Sequence, residues 1–303
     1  MAHRSSRRGI ALLITLMFVI VISVAVGYNL MQVKNASHIV QKEKMLYQNS
    51  MILADVLEIL KNSQEIQNIA KDKSIDDLYL FLSRAQAIPL QLSSEKVTLV
   101  ISSARKRFNI NELDKRNETA LREYFTRMML SSAYVDVLKD CMRINQEKKQ
   151  YNNYNSVIFD ENPYLFREYI ASKKHLDIIN DFYLQEYGDE NIKNIAFEKL
   201  FRFSKERNEA IDLNYATPEV LMLLLGTTKD RADMIYTLPK PFKSLEDLHL
   251  DANEKTALTK FQTSFFEPYL HVEITIQRDK QFGRMRFDYD MNLRKGSNFA
   301  LEI

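Results

Sequence analysis

The sequence predicts an α+β protein: one long N-terminal helix, a small antiparallel sheet, and a large α-helical domain inserted in the sheet. Three observations predict this fold class. An uncharged apolar run lies near the N-terminus. The 303 residues include only 6 Gly and 6 Pro, which favours long helices over a many-stranded fold. Segments that alternate like strands lie on both sides of a region, residues 111–268, whose pattern is almost entirely helical.

The first helix begins in a segment that can cross a membrane. From residue 9 to residue 33 no side chain is charged, and residues 10–26 are apolar except for Thr15 and Ser23. As a helix, residues 10–26 are about 26 Å long, and residues 27–31 can complete a span of about 30 Å. The arginines before this run are Arg4, Arg7 and Arg8. The positive-inside rule therefore predicts a single transmembrane helix over residues 10–31 with a cytoplasmic N-terminus.

The helical pattern continues beyond the apolar run. Residues 33–62 contain neither Gly nor Pro. Apolar residues then recur with helical spacing at Ile52, Leu53, Val56, Leu57 and Leu60. This spacing produces a stripe that can pack against a folded domain. We therefore predict one helix over residues 10–62, roughly 80 Å long.

The remainder of the chain predicts a head with an insertion. Residues 74–87 read as a helix that ends before Pro89, because the residue before a proline avoids the α region. The predicted strands cover residues 96–103, 105–110, 270–277 and 281–291. We therefore assign residues 63–110 and 269–303 to an α/β head, and residues 111–268 to an inserted α-helical domain.

Composition argues against most enzyme classes. Cys141 is the single cysteine, which excludes an intramolecular disulfide and a multi-cysteine zinc site. No GxGxxG, GxxxxGK[ST], HExxH or GxSxG motif occurs, and the five histidines are widely spaced. The formal net charge of +2 gives no whole-molecule attraction to nucleic acid. The sequence therefore predicts a protein that is not an enzyme.

The N-terminus also carries a processing signal. The segment Arg7-Arg8-Gly9-Ile10-Ala11-Leu12-Leu13 resembles the class III leader of type IV pilins and pseudopilins, which is short, basic and ends in Gly before an apolar helix. In that family a prepilin peptidase cuts after the Gly. The resemblance therefore implies a leader over residues 1–9, with Gly9 and Ile10 as the processing residues. The family pattern has Glu at the fifth mature position, where this chain has Ile14.

In having no Glu at this position, the chain resembles one subclass, the K-type minor pseudopilins of the type II (general) secretion pathway. Arg107-Phe108-Asn109-Ile110-Asn111 and Ile211-Asp212-Leu213-Asn214 also resemble the paired INLN segments of that subclass. The resemblance implies a pilin-like fold with a large helical insertion. It also implies a structural role at the tip of the pseudopilus, where the protein helps to initiate assembly and export across the outer membrane. Ile14 is the candidate assembly residue, because a tip subunit has no subunit above it to pair with an acid there.

The resemblance further implies where the protein acts and what it contacts. It would be anchored in the inner membrane with its head in the periplasm. Its partners would be the other minor pseudopilins, the major pseudopilin and the prepilin peptidase. Calcium is a candidate cofactor, since members of the subclass can bind it in the α domain. The acids that offer oxygen ligands are Asp160, Glu161, Asp189 and Glu190. No spacing matches an EF-hand loop, so solvated loop acids are the simpler interpretation.

One segment supports a different function. Residues 211–248 resemble a helix-hairpin-helix, a module that binds the DNA backbone. The hairpin keeps Gly226 but has Thr228 in place of the second Gly, which would crowd a phosphate, while Lys229 and Arg231 could still contact one. The alternative is therefore a minor pilin-like component of a DNA-uptake or type IV pilus machine, or a DNA-backbone binder. Because of Thr228 we favour a structural hairpin and expect no nucleic-acid partner.

We predict cleavage after Gly9. Loss of Arg4, Arg7 and Arg8 lowers Lys+Arg from 42 to 39 against 40 acids, so the side-chain charge changes from +2 to −1. N-terminal sequencing or intact mass of membrane-extracted protein measures this. A mature chain that begins near Val26, after Ser23-Val24-Ala25, would indicate a secretory signal peptide. An uncut chain would indicate a plain signal anchor.

Overall fold

The computed structural model describes residues 31, 40, 43–85, 87–92, 95–142, 157–206, 208–278 and 281–302. The predicted leader and the predicted transmembrane helix lie outside these residues, except for Met31. Within the described part of the chain, no helix combines the length and the apolar character needed to span a bilayer. The chain divides into two compact units, Met1–Glu58 and Ile59–Ile303.

The helices and strands alternate irregularly along the chain. The helices are α1 (residues 43–62), α2 (Gln64–Asp72), α3 (Ile75–Arg84), α4 (Glu118–Arg127), α5 (Ala133–Cys141), α6 (Val157–Glu161), α7 (Lys173–Tyr187), α8 (Phe197–Leu200), α9 (Pro218–Leu225), α10 (Lys229–Tyr236) and α11 (Ala252–Leu258). The strands are β1 (Ile88–Leu92), β2 (Glu95–Ser103), β3 (Phe108–Asn109), β4 (Phe201–Arg202), β5 (Ile211–Asp212), β6 (Thr263–Ser264), β7 (Tyr269–Arg278), β8 (Gln281–Asp290) and β9 (Lys295–Glu302). Short 3₁₀ helices cover Ile110–Glu112, Glu190–Asn194 and Leu245–Leu248.

Serine side chains start the two helices that precede the sheet. Ser63 caps α2 by accepting the Ile66 N–H at 3.4 Å, and Ser74 caps α3 by accepting the Asp77 N–H at 3.2 Å. Helix α3 ends at Arg84, three residues before the predicted end at residue 87. The reason is that Ile88, which precedes Pro89, already belongs to strand β1.

Five strands form one antiparallel sheet in the order β1-β2-β7-β8-β9. The predicted hairpin is present, with Tyr269 opposite Asp290 and Arg278 opposite Gln281. Alternate residues of β2, β7 and β8 face the interior: Val97, Leu99, Ile101, Leu270, Val272, Ile274, Ile276, Met285, Phe287 and Tyr289. This alternation follows from the two-residue period of a strand that has one buried face. Helices and a sheet in separate chain segments make this an α+β fold.

The sheet contains two edge strands that the sequence pattern did not predict. β1 pairs with β2, and β9 pairs with β8 through a bulge between Arg286 and Asp288. β9 is exposed along most of its length, and Phe299 stacks on Phe287 with the ring centroids 5.6 Å apart. The predicted strand over residues 105–110 is shortened to β3, which pairs with β4 outside the main sheet.

The chain between β2 and β7 is mainly helical and has its own apolar core. Aromatic rings fill its centre, and the Phe125 ring lies 5.0 Å from that of Tyr134 at 90°. Tyr134 in turn contacts Tyr183 at 5.1 Å, and all three rings are buried. Two parallel strand pairs, β3 with β4 and β5 with β6, lie in the same stretch of chain. The strands of the main sheet precede and follow this stretch in the chain. Contacts between the sheet and the helical region therefore hold the head together.

Candidate functional site

Asn111 binds three backbone groups in the interior. Its amide nitrogen donates to the carbonyl oxygens of Ile170 and Ser204, both at 3.0 Å. Its side-chain oxygen accepts the Ile170 N–H at 2.8 Å. A buried asparagine with these bonds satisfies both itself and the loops it contacts. Asn111 therefore joins the segment before α7 to the segment after β4.

Asn214 repeats this pattern in the second INLN-like segment. Its amide nitrogen donates to the carbonyl oxygens of Phe242 at 3.0 Å and Phe265 at 2.9 Å. Its side-chain oxygen accepts the Phe242 N–H at 2.6 Å. Asn214 therefore joins the loop after α10 to the segment after β6, and Asn111 of the first INLN-like segment likewise joins two distant segments.

The residue two positions earlier also has the same role in both segments. The side-chain oxygen of Asn109 accepts the N–H groups of Asn111 at 3.3 Å and Ser204 at 3.2 Å. The carboxylate of Asp212 accepts those of Asn214 at 3.0 Å and Glu267 at 3.2 Å. Asn109 ends β3 and Asp212 ends β5, and each strand pairs in parallel with a later one. The helical region thus contains two INLN-like segments with the same pattern of hydrogen bonds.

A buried ion-pair network joins this region to the sheet. Glu209 forms ion pairs with Arg105, which follows β2, and with Arg202 of β4 at 2.7 Å. Arg202 also contacts Asp288 of β8 at 3.4 Å. The side chains of Arg105, Arg202 and Glu209 are only 5–6% exposed. Charges at this depth are tolerated because they are paired.

Two ring contacts from β7 extend the network. The Asp288 carboxylate lies 2.8 Å from Nδ1 of His271. The guanidinium carbon of Arg105 lies 3.9 Å from the centroid of the Tyr269 ring, a cation–π contact. The network therefore reaches β2, β4, β7 and β8, and it fixes the helical region against the sheet.

Burial shifts the pKa of three carboxyl groups near these contacts. It raises the pKa of Glu209, against the opposing effect of Arg105. It raises the pKa of Glu112 to about 7, although that carboxylate accepts the Glu209 N–H at 2.7 Å. It also raises the pKa of Asp212 to about 7, against the hydrogen bonds from Asn214 and Glu267. These groups accept hydrogen bonds from backbone N–H or guanidinium groups, which is a structural use.

The helix-hairpin-helix candidate is well formed. Thr217 caps α9 by accepting the Val220 N–H at 3.2 Å, and Pro218 occupies the first turn. The helix ends at Gly226, whose φ of +62° lies in the left-handed region that favours glycine. The Thr228 hydroxyl then caps α10 by accepting the Arg231 N–H at 3.4 Å. The hairpin hydroxyl that replaces the second Gly therefore serves the next helix.

Arg231, one of the two candidate phosphate contacts, is engaged within the protein. Its guanidinium donates to both carboxylate oxygens of Glu254 at 2.9 Å and to the His249 carbonyl oxygen at 2.8 Å. Glu254 is buried and also belongs to the capping box that Asp251 forms at the start of α11. Lys229 is exposed. A phosphate at this hairpin would thus have to compete with a bidentate ion pair.

The candidate calcium ligands are placed differently from one another. The Asp189 carboxylate accepts the Ser131 N–H at 3.0 Å, the Asn191 N–H at 3.2 Å and the Tyr183 hydroxyl at 3.1 Å. Glu190 forms an ion pair with Lys193. Asp160 and Glu161 end α6. In the part of the chain that the structure describes, no three His, Cys, Asp or Glu residues cluster as a metal would require. Calcium binding stays a prediction.

Cys141 and His175 are both buried. Burial raises the pKa of the Cys141 thiol to about 12, so the thiol is protonated at neutral pH and a poor nucleophile. Burial lowers the pKa of His175, whose Nδ1 accepts the Ala171 N–H at 3.2 Å. Both therefore act as core residues. The predicted processing residues Gly9 and Ile10, and the predicted assembly residue Ile14, lie outside the described residues.

No family model and no curated protein matches the chain. In structure the chain is similar to one chain of the GspK–GspI–GspJ complex from the type 2 secretion system of enterotoxigenic Escherichia coli. The TM-score is 0.49 and the sequence identity is 10%, and the similarity covers 87% of this chain and 97% of that chain.

We expect Asn111→Ala and Asn214→Ala each to lower the free energy of unfolding by roughly 2–4 kcal/mol, because buried backbone groups lose their partners. Denaturant unfolding of the purified full chain in detergent measures this. Asn194→Ala is the matched control, because Asn194 is exposed, and it should change the stability by less than about 0.5 kcal/mol. Equal stability of all three variants would contradict the structural role of these amides.

We expect duplex DNA to bind no better than non-specifically, with a Kd weaker than about 10⁻⁶ M at physiological salt, because Arg231 is bound to Glu254. Arg231→Ala should destabilise the protein by roughly 3 kcal/mol, since it leaves a buried carboxylate unpaired, without changing DNA binding. Lys229→Ala should change neither. Fluorescence anisotropy with labelled duplex tests this. Sub-micromolar binding that both variants abolish would favour the DNA-uptake alternative.

Proposed function

We propose that this protein is a structural minor pseudopilin at the tip of a type II secretion pseudopilus, where it helps to initiate assembly and protein export across the outer membrane. The observation that carries the proposal is the junction between the sheet and the helical region. Glu209, Arg105 and Arg202 lie together in the interior and bind side chains and strands from both parts. A junction built of paired charges and backbone-binding amides suits a rigid binding head, and these polar residues serve as structural contacts.

The sequence supports the membrane part of this proposal. The basic leader ending at Gly9 and the uncharged run over residues 10–31 suit a subunit that stays in the inner membrane after processing by a prepilin peptidase. The head would then lie in the periplasm. Its partners would be the other minor pseudopilins and the major pseudopilin, reached through the surface of the head and through the N-terminal helix.

Ile14 supports an end position in the assembly. The resemblance to the pilin family implies that an acid at this position would pair with the N-terminal amine of the neighbouring subunit above. A tip subunit has no such neighbour, and an unpaired acid in an apolar environment is unfavourable. An acid in the apolar part of a membrane helix is unfavourable, by up to ~2.5–3.5 kcal/mol at the helix centre on insertion scales, whereas isoleucine is favourable. The helical bulk between β2 and β7 also fits an end position, because it enlarges the head beyond the sheet.

We expect a photoreactive residue at position 14 to crosslink to a few tip partners in purified filaments, and we expect the protein to be substoichiometric to the major subunit. Ile14→Glu should leave processing intact and give no gain of function, because the added acid finds no amine to pair with. Mass spectrometry of the adducts and quantitative immunoblotting provide the two measurements. Adducts with major subunits along the whole shaft would show that the tip assignment is wrong.

A further inference from the structure

A pocket in the head lies between α3, the end of β2 and the loop that follows α10. Its volume is about 290 Å³. The polar and aromatic residues that line it include Tyr79, Ser102, Lys106, Tyr215, Tyr236 and Lys240. An exposed ion pair at 2.8 Å joins Asp76 of α3 to Lys243 in the loop that follows α10. The pocket therefore lies where the sheet side and the helical side of the head meet.

The two lysines of the pocket are held in place without a carboxylate partner. The Lys240 ammonium lies 4.3 Å from the ring centroid of Tyr236 and 5.8 Å from that of Phe242. The Lys106 ammonium donates to the Ser102 hydroxyl at 3.1 Å. Neither lysine forms an ion pair with any carboxylate among the described residues. Burial lowers the pKa of both groups, so bringing an anion to them would be favourable.

The acidic groups near the pocket are already engaged. Asp212, which acts electrostatically on Lys240, accepts the backbone N–H groups of Asn214 and Glu267. Glu273, which acts electrostatically on Lys106, is paired with Arg284 at 2.6 Å. Arg107 adds a positive field at Lys106. Among the described residues, the pocket therefore holds two ammonium groups that no carboxylate contacts directly.

The chemistry of the walls favours a carboxylate over a phosphate. Phosphate sites typically use arginine forks or the N-terminus of a helix, and the lining includes neither. The rings of Tyr79 and Tyr215 stack at 6.4 Å and provide an apolar wall that suits the methylene groups of an acidic side chain.

From these observations we propose that the pocket receives the carboxylate of an aspartate or glutamate side chain from a neighbouring subunit of the assembly. The carboxylate would lie between the ammonium groups of Lys106 and Lys240. The Tyr236 ring, which is 43% exposed, would border the entrance. The identity of the partner as a subunit rests on the proposed function, whereas binding of a carboxylate by the pocket does not.

The first experiment measures binding in the isolated full chain in detergent. Lysine acylation followed by mass spectrometry reports the reactivity of each lysine, with acetyl-Gly-Glu-Gly-amide, its Gln counterpart or inorganic phosphate present. We expect the Glu peptide alone to protect Lys106 and Lys240, while Lys229 and Lys243 keep their reactivity. Lys106→Met and Lys240→Met should each weaken protection of the other lysine about tenfold, the effect of losing one moderate charge contact, and Lys229→Met should not.

Three results would overturn the proposal. These are no protection at high peptide concentration, equal protection by the Gln peptide, and protection by phosphate but not by the Glu peptide. A second experiment places a photoreactive residue at Tyr236 in purified assemblies. We expect an adduct with an acidic segment of another subunit, reduced by Lys240→Met. Peptide protection without such an adduct would retain the carboxylate site but reject a subunit as its source, which separates this failure from that of the proposed function.

Discussion

The structure depends most on one buried carboxylate, that of Glu209. It lies between the guanidinium groups of Arg105 and Arg202, and these lead to Tyr269 and Asp288 in the sheet. The sheet strands come from chain segments separated by the whole helical region, so the fold needs contacts that bring these distant segments together. Buried ion pairs add little net stability compared with apolar packing, but breaking one is costly. Their value here is to define a single arrangement of helices and sheet.

Two buried asparagines likewise hold distant segments together inside the helical region. Asn111 and Asn214 each bind a loop residue through both its N–H and its carbonyl group, which imitates a strand pairing without a strand. Loops that are bound in this way can be long and still keep a single backbone conformation. Strands β3 and β5 are each two residues long, and two residues beyond each strand end the asparagine amide binds the backbone of a distant loop.

Much of the fold could be predicted because its signals are local. Thr217 and Pro218 indicate a helix start, and the alternation in β7 and β8 indicates a hairpin. β9 was missed because it is exposed on nearly its whole length, so its residues have no reason to alternate. The ion-pair network and the lysine pocket were missed for another reason. Glu209, Arg105 and Asp288 are far apart in sequence, and no periodicity relates residues that meet only in the folded chain.

The depth of Cys141 has a practical consequence. It is the single sulfhydryl of the chain, and it is fully buried in α5 within the aromatic core of the helical region. A thiol reagent can reach it only when that core opens, so the rate of its modification reports the opening free energy of the helical region and not of the sheet. The natural sequence therefore contains its own reporter of local unfolding. A population that reacts at once would consist of molecules in which these helices have not packed, which makes the same thiol a measure of preparation quality.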